Sequence, residues 1–189
     1  MKSRNLVLAF TIFLSGSTMF AQKAEVNTEK SSIEWLGKKV GGQHEGTIQI
    51  KSGYLELNDD KIVAGNFMID MASITCTDLK DESYNQKLVG HLKSDDFFGV
   101  ETYPTAKFVV TKSSAFNNGT ATLSGDLTIK GKKESISFDV LKSGNAYSAK
   151  IDIDRSKFDV RYGSNSFFDN LGDKAIEDNF TLNIKLAVN

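Results

Sequence analysis

From Ser32 to the C-terminus, apolar and polar residues alternate in one short run after another, the period of extended chain with one dry face and one wet face. Ile33 and Trp35 alternate with Ser32, Glu34 and Leu36, and Ile48 and Ile50 with Thr47, Gln49 and Lys51. Leu55 and Leu57 follow, and then Val63, Gly65, Phe67, Ile69 and Met71 share one phase. The theme returns with Phe108 and Val110; Leu123, Leu127 and Ile129; Ile136, Phe138 and Val140; Tyr147, Ala149, Ile151 and Ile153; and Phe180, Leu182, Ile184 and Leu186. The runs predict about eight or nine strands. Asn58-Asp59-Asp60, Asn117-Asn118-Gly119, Lys130-Gly131-Lys132 and Ser143-Gly144-Asn145 supply tight-turn chemistry between them, so sequence neighbours should pair as an antiparallel meander. No repeat of propeller or solenoid length is present. The pattern predicts an all-β fold, an eight-stranded antiparallel barrel with one or two short helices, since closure removes exposed strand edges.

Two stretches break the alternation. Over residues 81–92, Tyr84, Leu88 and Leu92 fall on one helical face, with Asp78 or Asp81 able to cap the start. A short turn at Ser94-Asp95-Asp96-Phe97-Phe98 and the single proline, Pro104, follow. Residues 162–179 are rich in Gly, Asn, Asp and Ser yet hold Phe167, Phe168, Leu171 and Ile176, which predicts a long loop folded back on the body.

The N-terminus reads as a secretory signal: Lys2 and Arg4, an apolar run over 6–14, then small and polar residues up to Phe20-Ala21-Gln22. Cleavage after Ala21 would leave a 22–189 barrel domain, periplasmic or secreted, with no transmembrane segment expected in it. Loss of Lys2 and Arg4 takes the basic count from 23 to 21 against 24 acidic residues, a formal charge of −3. That balance argues against a nucleic-acid partner. The polar strand phase carries Glu34, Lys51, Glu56, Asp70, Lys107, Asp126, Asp139, Lys150, Asp152 and Lys185. Facing these outward in an outer-membrane barrel would cost roughly 2 to 4 kcal/mol for each basic residue near the midplane. The polar phase therefore faces water and the apolar phase faces inward. A homodimer is compatible with the sequence, but no exposed apolar strand phase demands one.

Residues that carry chemistry are sparse. Cys76 is the only cysteine, which excludes an intrachain disulfide and reads as a small buried hydrophobe. His44 and His91 are far apart in sequence with no metal-ligand spacing, so a metal site would have to be assembled at long range and none is expected. His44 reads as a hydrogen-bonded residue at a strand start, and His91 as a helix C-terminal residue favoured by the dipole. No Gly-x-Ser-x-Gly turn is present. Asp95, Asp96, Asp152 and Asp154 could pair for acid and base work, but such residues mostly cap helices or face solvent.

Three motifs in order resemble the YceI-like family of bacterial periplasmic proteins. They are Gly90-His91-Leu92-Lys93-Ser94-Asp95-Asp96-Phe97-Phe98 with Tyr103-Pro104-Thr105-Ala106-Lys107-Phe108, then Leu123-Ser124-Gly125-Asp126-Leu127-Thr128-Ile129-Lys130-Gly131, then Ile151-Asp152-Ile153-Asp154-Arg155-Ser156-Lys157-Phe158. Asp159 departs from the pattern, standing where the family often has Gly. The resemblance implies a lipocalin-like barrel that binds a polyisoprenoid or an isoprenoid-tailed quinone, with no cofactor required and no catalysis. Carried over by position, the lining is Trp35, Phe67, Ile69, Phe108, Leu127, Phe138, Ile153, Phe158 and Phe180, with His91, Asp95 and Arg155 as polar candidates at the mouth. Three readings stand: a lipid carrier or store, an envelope interaction domain whose barrel is filled by its own side chains, and an isoprenoid-modifying barrel enzyme. The first carries the most weight.

Overall fold

The computed structural model describes residues 21–189. The expected signal segment lies outside them except for Ala21. Nine strands appear in chain order: β1 (Gln22–Glu25), β2 (Ser32–Lys39), β3 (Gly42–Asn58), β4 (Lys61–Asp70), β5 (Thr105–Ser113), β6 (Thr120–Ile129), β7 (Lys132–Ser143), β8 (Ala146–Asp154) and β9 (Ile176–Ala187). Every pairing is antiparallel, and β2 through β9 close into an eight-stranded barrel through β9 against β2 and β3 against β4. β3 is long enough to serve twice: its first half pairs with β2 and its second half with β4, while β1 takes the free flank at Tyr54 to Leu57. β7 and β8 share the shortest of the barrel's ladders, Leu141 with Ser148, Lys142 with Tyr147 and Ser143 with Ala146.

The hairpin turns fall where turn chemistry predicts them. Asp59, Asn118, Lys130 and Gly144 take left-handed backbone, and Gly119 and Gly131 do so beside them. The helix, α1 (Glu82–Lys93), is capped by Asp81, whose side chain accepts from the Tyr84 N–H at 3.0 Å. Asp154 caps a 3-10 turn over Arg155–Phe158, and Asp159 closes it at φ 60°, the left-handed position that glycine would otherwise take. An aspartate is among the few residues that tolerate this backbone, and Arg161 bonds its carboxylate at 2.6 Å.

One phase differs from expectation. Val63 is 42% exposed, while Ile62 is 1% exposed and points inward. The β3–β4 register shifts between Glu56 and Leu57, so one extra residue on β4 turns the alternation over. Register shifts also lie between Ile50 and Ser52 and between Val110 and Lys112. The shift at Ile50 and Ser52 explains why Ile48 and Ile50 face inward on even numbers while Leu55 faces inward on an odd one. The loop expectation also changes: β9 already begins at Ile176, and Phe167 and Phe168 are exposed, with the Arg161 guanidinium 5.1 Å from the Phe167 ring.

Two apolar clusters lie at the barrel ends. One joins Leu55, Ile62, Val110, Leu123, Val140, Tyr147, Leu186 and Val188 into a floor. The other, near α1, joins Met71, Ile74, Phe97, Val100, Ala106, Ile129, Phe158 and Val160 around the opposite rim.

Candidate ligand-binding site

Between these clusters the barrel is hollow. A mouth chamber of about 340 Å³ opens beside α1 and is walled by Trp35, Ile69, Leu127, Ile153 and Phe180 with Leu88, Leu92, Phe97 and Phe98. Deeper in, a chamber of about 120 Å³ is walled by Phe67, Phe108, Phe138, Ile136, Ala149 and Ile184 and presents no polar surface. Ile33, Ile69, Leu127, Ile153 and Leu182 belong to both walls, so the chambers meet around one ring of aliphatic side chains. The larger chamber falls within the range of about 300–1,000 Å³ typical of small-molecule sites.

Sequence alternation explains the lining. Inward positions on β4, β5, β7 and β9 recur every second residue, and a barrel of eight strands leaves room for one ligand when they do not meet across the axis. Phe67, Phe108 and Phe138 face inward yet stay only partly buried, because they border empty space. Their rings are neighbours, with centroids 6.3 Å apart for Phe67 and Phe108 and 5.5 Å for Phe108 and Phe138. Gly125 makes room for this group, since a Cβ there would overlap the Phe108 ring and approach the Val109 carbonyl oxygen to 2.5 Å.

Of the expected lining residues, Trp35, Ile69, Leu127, Ile153 and Phe180 stand on the wall of the mouth chamber and Phe67, Phe108 and Phe138 on that of the inner one. Phe158 is 1% exposed, packed in the rim cluster within the 3-10 turn. Of the three mouth candidates, His91 lines the opening, its ring edge-on to Tyr162 at 4.3 Å and to Phe97 at 5.7 Å. Asp95 is exposed and off the cavity wall, and its carbonyl accepts from Lys130 Nζ at 2.9 Å.

Arg155 borders the mouth chamber but is 2% exposed and committed to backbone. Its Nε donates to the Glu177 carbonyl at 3.1 Å, and its terminal nitrogens donate to the carbonyls of Val160 and Tyr162, both at 2.9 Å, and of Ile176 at 3.0 Å. Asp178 lies 3.4 Å away, and burial draws the guanidinium pKa below its ordinary value against the pull of Asp178 and Asp154. The side chain ties the segment after β8 to the start of β9 and so sets the rim on which Tyr162 and Ile176 stand. No motif points to that role.

Two of the four acid–base candidates, Asp152 and Asp154, hold structural hydrogen bonds. Asp152 accepts from Thr181 Oγ1 at 2.5 Å, and Asp154 from Ser156 N and Oγ at 3.0 and 2.6 Å. His44 and Cys76, remote in sequence, meet at the rim. His44 Nδ1 lies 2.8 Å from Asp78 Oδ2, and Cys76 Sγ donates to Asp78 Oδ1 at 3.1 Å. Cys76 is buried as expected, but it is hydrogen-bonded as well as apolar in setting, and the long-range assembly that a metal site would require is present.

A single antiparallel barrel, closed at its floor, with an apolar interior reached through one rim, defines a lipocalin-like barrel with an internal cavity. Residues 25–188 match the model of the YceI-like domain, and the chain belongs to that family. A UPF0312 protein of Pseudomonas putida strain F1 is 26% identical over 141 residues, 74% of this chain and 71% of the relative. Among solved structures, Burkholderia cenocepacia BcnA is 26% identical with a TM-score of 0.62, covering 85% of this chain and 98% of that one. A polyisoprenoid binding domain from Saccharophagus degradans, implicated in plant cell wall breakdown, shares the fold with a TM-score of 0.59 at 13% identity, covering 87% and 97%. The Campylobacter jejuni YCEI protein does so with 0.53 at 22% identity, covering 100% and 99%.

Proposed function

We propose that this protein is an exported carrier or store for a long apolar lipid, a polyisoprenoid or an isoprenoid-tailed quinone, held in the barrel. The observation that carries the reading is the inner chamber, whose wall has no polar surface and whose aromatic side chains are left partly uncovered. A barrel filled by its own side chains would have buried Phe67, Phe108 and Phe138 completely. β9 runs from Ile176 at the mouth to Leu186 at the floor, roughly 25 Å along the axis at ~3.3 Å per residue and ~40° of tilt. That length suits an extended chain. The Saccharophagus degradans domain of the same fold, a polyisoprenoid binder, supports the same ligand class.

The energetics favour a long tail. Each buried methylene contributes about 0.8 kcal/mol, so a five-carbon isoprene unit contributes roughly 3 to 4 kcal/mol gross. Association costs about 4 to 15 kcal/mol, so one or two units bind poorly through apolar contact alone, whereas four or more, at about 12 to 16 kcal/mol gross, offset that cost. Arg155 is spent on carbonyls and His91 is packed between rings, so neither is free to read a headgroup. Binding without turnover is therefore the function proposed, with loose selection of the polar end.

The test is to express the full-length chain in a Gram-negative host, recover it from the periplasm, and measure the native mass and the mass of its organic extract. The expected result is a bound species with isoprenoid increments, lost on Phe138→Asp or Phe67→Asp in protein that still folds. An apo mass from several hosts, with no uptake of long isoprenoids in vitro, would overturn the proposal.

A further inference from the structure

The rim cluster of His44, Cys76 and Asp78 serves no part of the lipid reading. These residues come from β3 and from the segment between Met71–Ser73 and α1, with His44 and Cys76 32 positions apart. One donor atom from each, an imidazole nitrogen, a thiol sulfur and a carboxylate oxygen, lies within 4.8 Å of the others. We propose that this cluster is a binding site for a single zinc-class divalent cation, held by His44, Cys76 and Asp78 with a fourth position open.

The donor set suits that class. Zinc takes thiolate sulfur at about 2.3 Å, imidazole nitrogen at about 2.0–2.1 Å and carboxylate oxygen at about 2.0–2.2 Å, usually in a tetrahedron, so its donors sit about 3.3–3.6 Å apart. The His44 Nδ1 and Asp78 Oδ2 atoms, 2.8 Å apart, need to part by only about half an ångström to reach that spacing. Hard cations such as magnesium and calcium prefer all-oxygen sites and would gain nothing from the thiol.

The surroundings hold these donors in place. Asp78 Oδ1 accepts from the Glu45 N–H at 3.1 Å, which orients the carboxylate and leaves Oδ2 directed at His44. Thr75 N and Thr77 N donate to the carbonyls of Thr47 and Glu45 at 3.0 and 2.9 Å, pinning the Cys76 segment along β3. From α1, Asn85 Nδ2 donates to the carbonyls of Cys76 and Leu79 at 2.9 and 3.0 Å. Outer contacts of this kind fix ligand orientation in metal sites. The 29% exposure of the Asp78 side chain and 30% for His44 leave a path for an ion to enter. His44 also borders the mouth chamber, so an open fourth position there would be reached from the cavity side.

The experiment is a titration of the protein, purified without a polyhistidine tag, with Co²⁺ followed by displacement with Zn²⁺. Cys76 is the only cysteine, so any thiolate-to-cobalt charge-transfer absorption must come from it. The expected result is one Co²⁺ per chain with that absorption and with tetrahedral visible bands, bleached by one equivalent of Zn²⁺. Cys76→Ser should lose the charge-transfer band, and His44→Ala and Asp78→Asn should each weaken binding at least about tenfold. A spectrum identical to free Co²⁺ in the wild-type protein, or stoichiometric binding unchanged in Cys76→Ser, would overturn the site. The wild-type spectrum decides even if a variant fails to fold, and neither arm depends on whether lipid is bound.

Discussion

Replacing Arg155 by methionine keeps an unbranched side chain in the same space while removing every donor. Four carbonyl oxygens, those of Glu177, Val160, Tyr162 and Ile176, then lose a charged partner, and Asp178 loses the cation 3.4 Å away. Hydrogen bonds to charged groups contribute about 1.5–3 kcal/mol each, but these do not sum, because Glu177 and Tyr162 are exposed and their carbonyls regain water. Removing one partner of a buried charged network costs about 3–5 kcal/mol, and that is the expected loss. For a domain of this size it corresponds to a melting temperature lower by about 6–20 °C. Urea unfolding followed by fluorescence of Trp35, the single tryptophan, measures it. Limited trypsin digestion adds a local readout, since cleavage after Lys157, Arg161 and Lys174 should accelerate as the rim loosens. Arg155→Lys should recover only part of the loss, because an ammonium is a compact charge and cannot span carbonyls on two sides as the guanidinium fork does. A loss below about 1 kcal/mol with unchanged proteolysis would refute the account of the rim.

Three further predictions follow from the geometry. Gly125→Ala drives a methyl group against Phe108, so it should cost about 1–3 kcal/mol by overpacking and reduce lipid uptake as the ring is pushed into the inner chamber; unchanged melting and unchanged uptake together would refute the close approach of Phe108 to Gly125. Asp78 is raised by burial but lowered more by hydrogen bonds from His44, Cys76 and the Glu45 N–H, which leave it at about 2 against an ordinary 3.8. A carboxylate so depressed adds stability that is present above its ordinary value and is lost as pH falls through about 2, so acid unfolding of Asp78→Asn should lack that segment, and superimposable acid curves for the two proteins would refute it. No residue of α1 is buried, so hydrogen exchange should show its amides opening more readily than those of β6. Asn85→Ala, which frees the Cys76 and Leu79 carbonyls, should speed that opening further, and equal protection in α1 and β6 would contradict it.

Much of this architecture is local, and the chain spells it out residue by residue. Alternation names the strands because each inward side chain is separated from the next by one outward one. Turn residues at 59, 118, 130 and 144 mark the hairpins because few residues tolerate left-handed backbone. Leu88 and Leu92 behind Asp81 mark α1 for equally local reasons, a repeat of one helical face and a cap. The wall positions of Phe67, Phe108, Phe138 and Phe180 follow from the same alternation once the barrel is closed.

Tertiary structure decided the rest, wherever the deciding partner lies far along the chain. A register shift in the β3–β4 ladder turns the phase over, so that Ile62 and not Val63 enters the floor, and only pairing across strands places an extra residue. Phe158 has the composition of a lining residue, but the 3-10 turn that carries it lifts it off the strand and into the rim cluster. Arg155 reads as a polar candidate at the mouth until the carbonyls of residues 160, 162, 176 and 177 fold around its guanidinium. His44, Cys76 and Asp78 converge only because the segment before α1 runs alongside β3. Whether opposing inward side chains meet across the axis depends on barrel curvature, which no window of neighbouring residues contains, and it is that curvature which leaves the interior hollow.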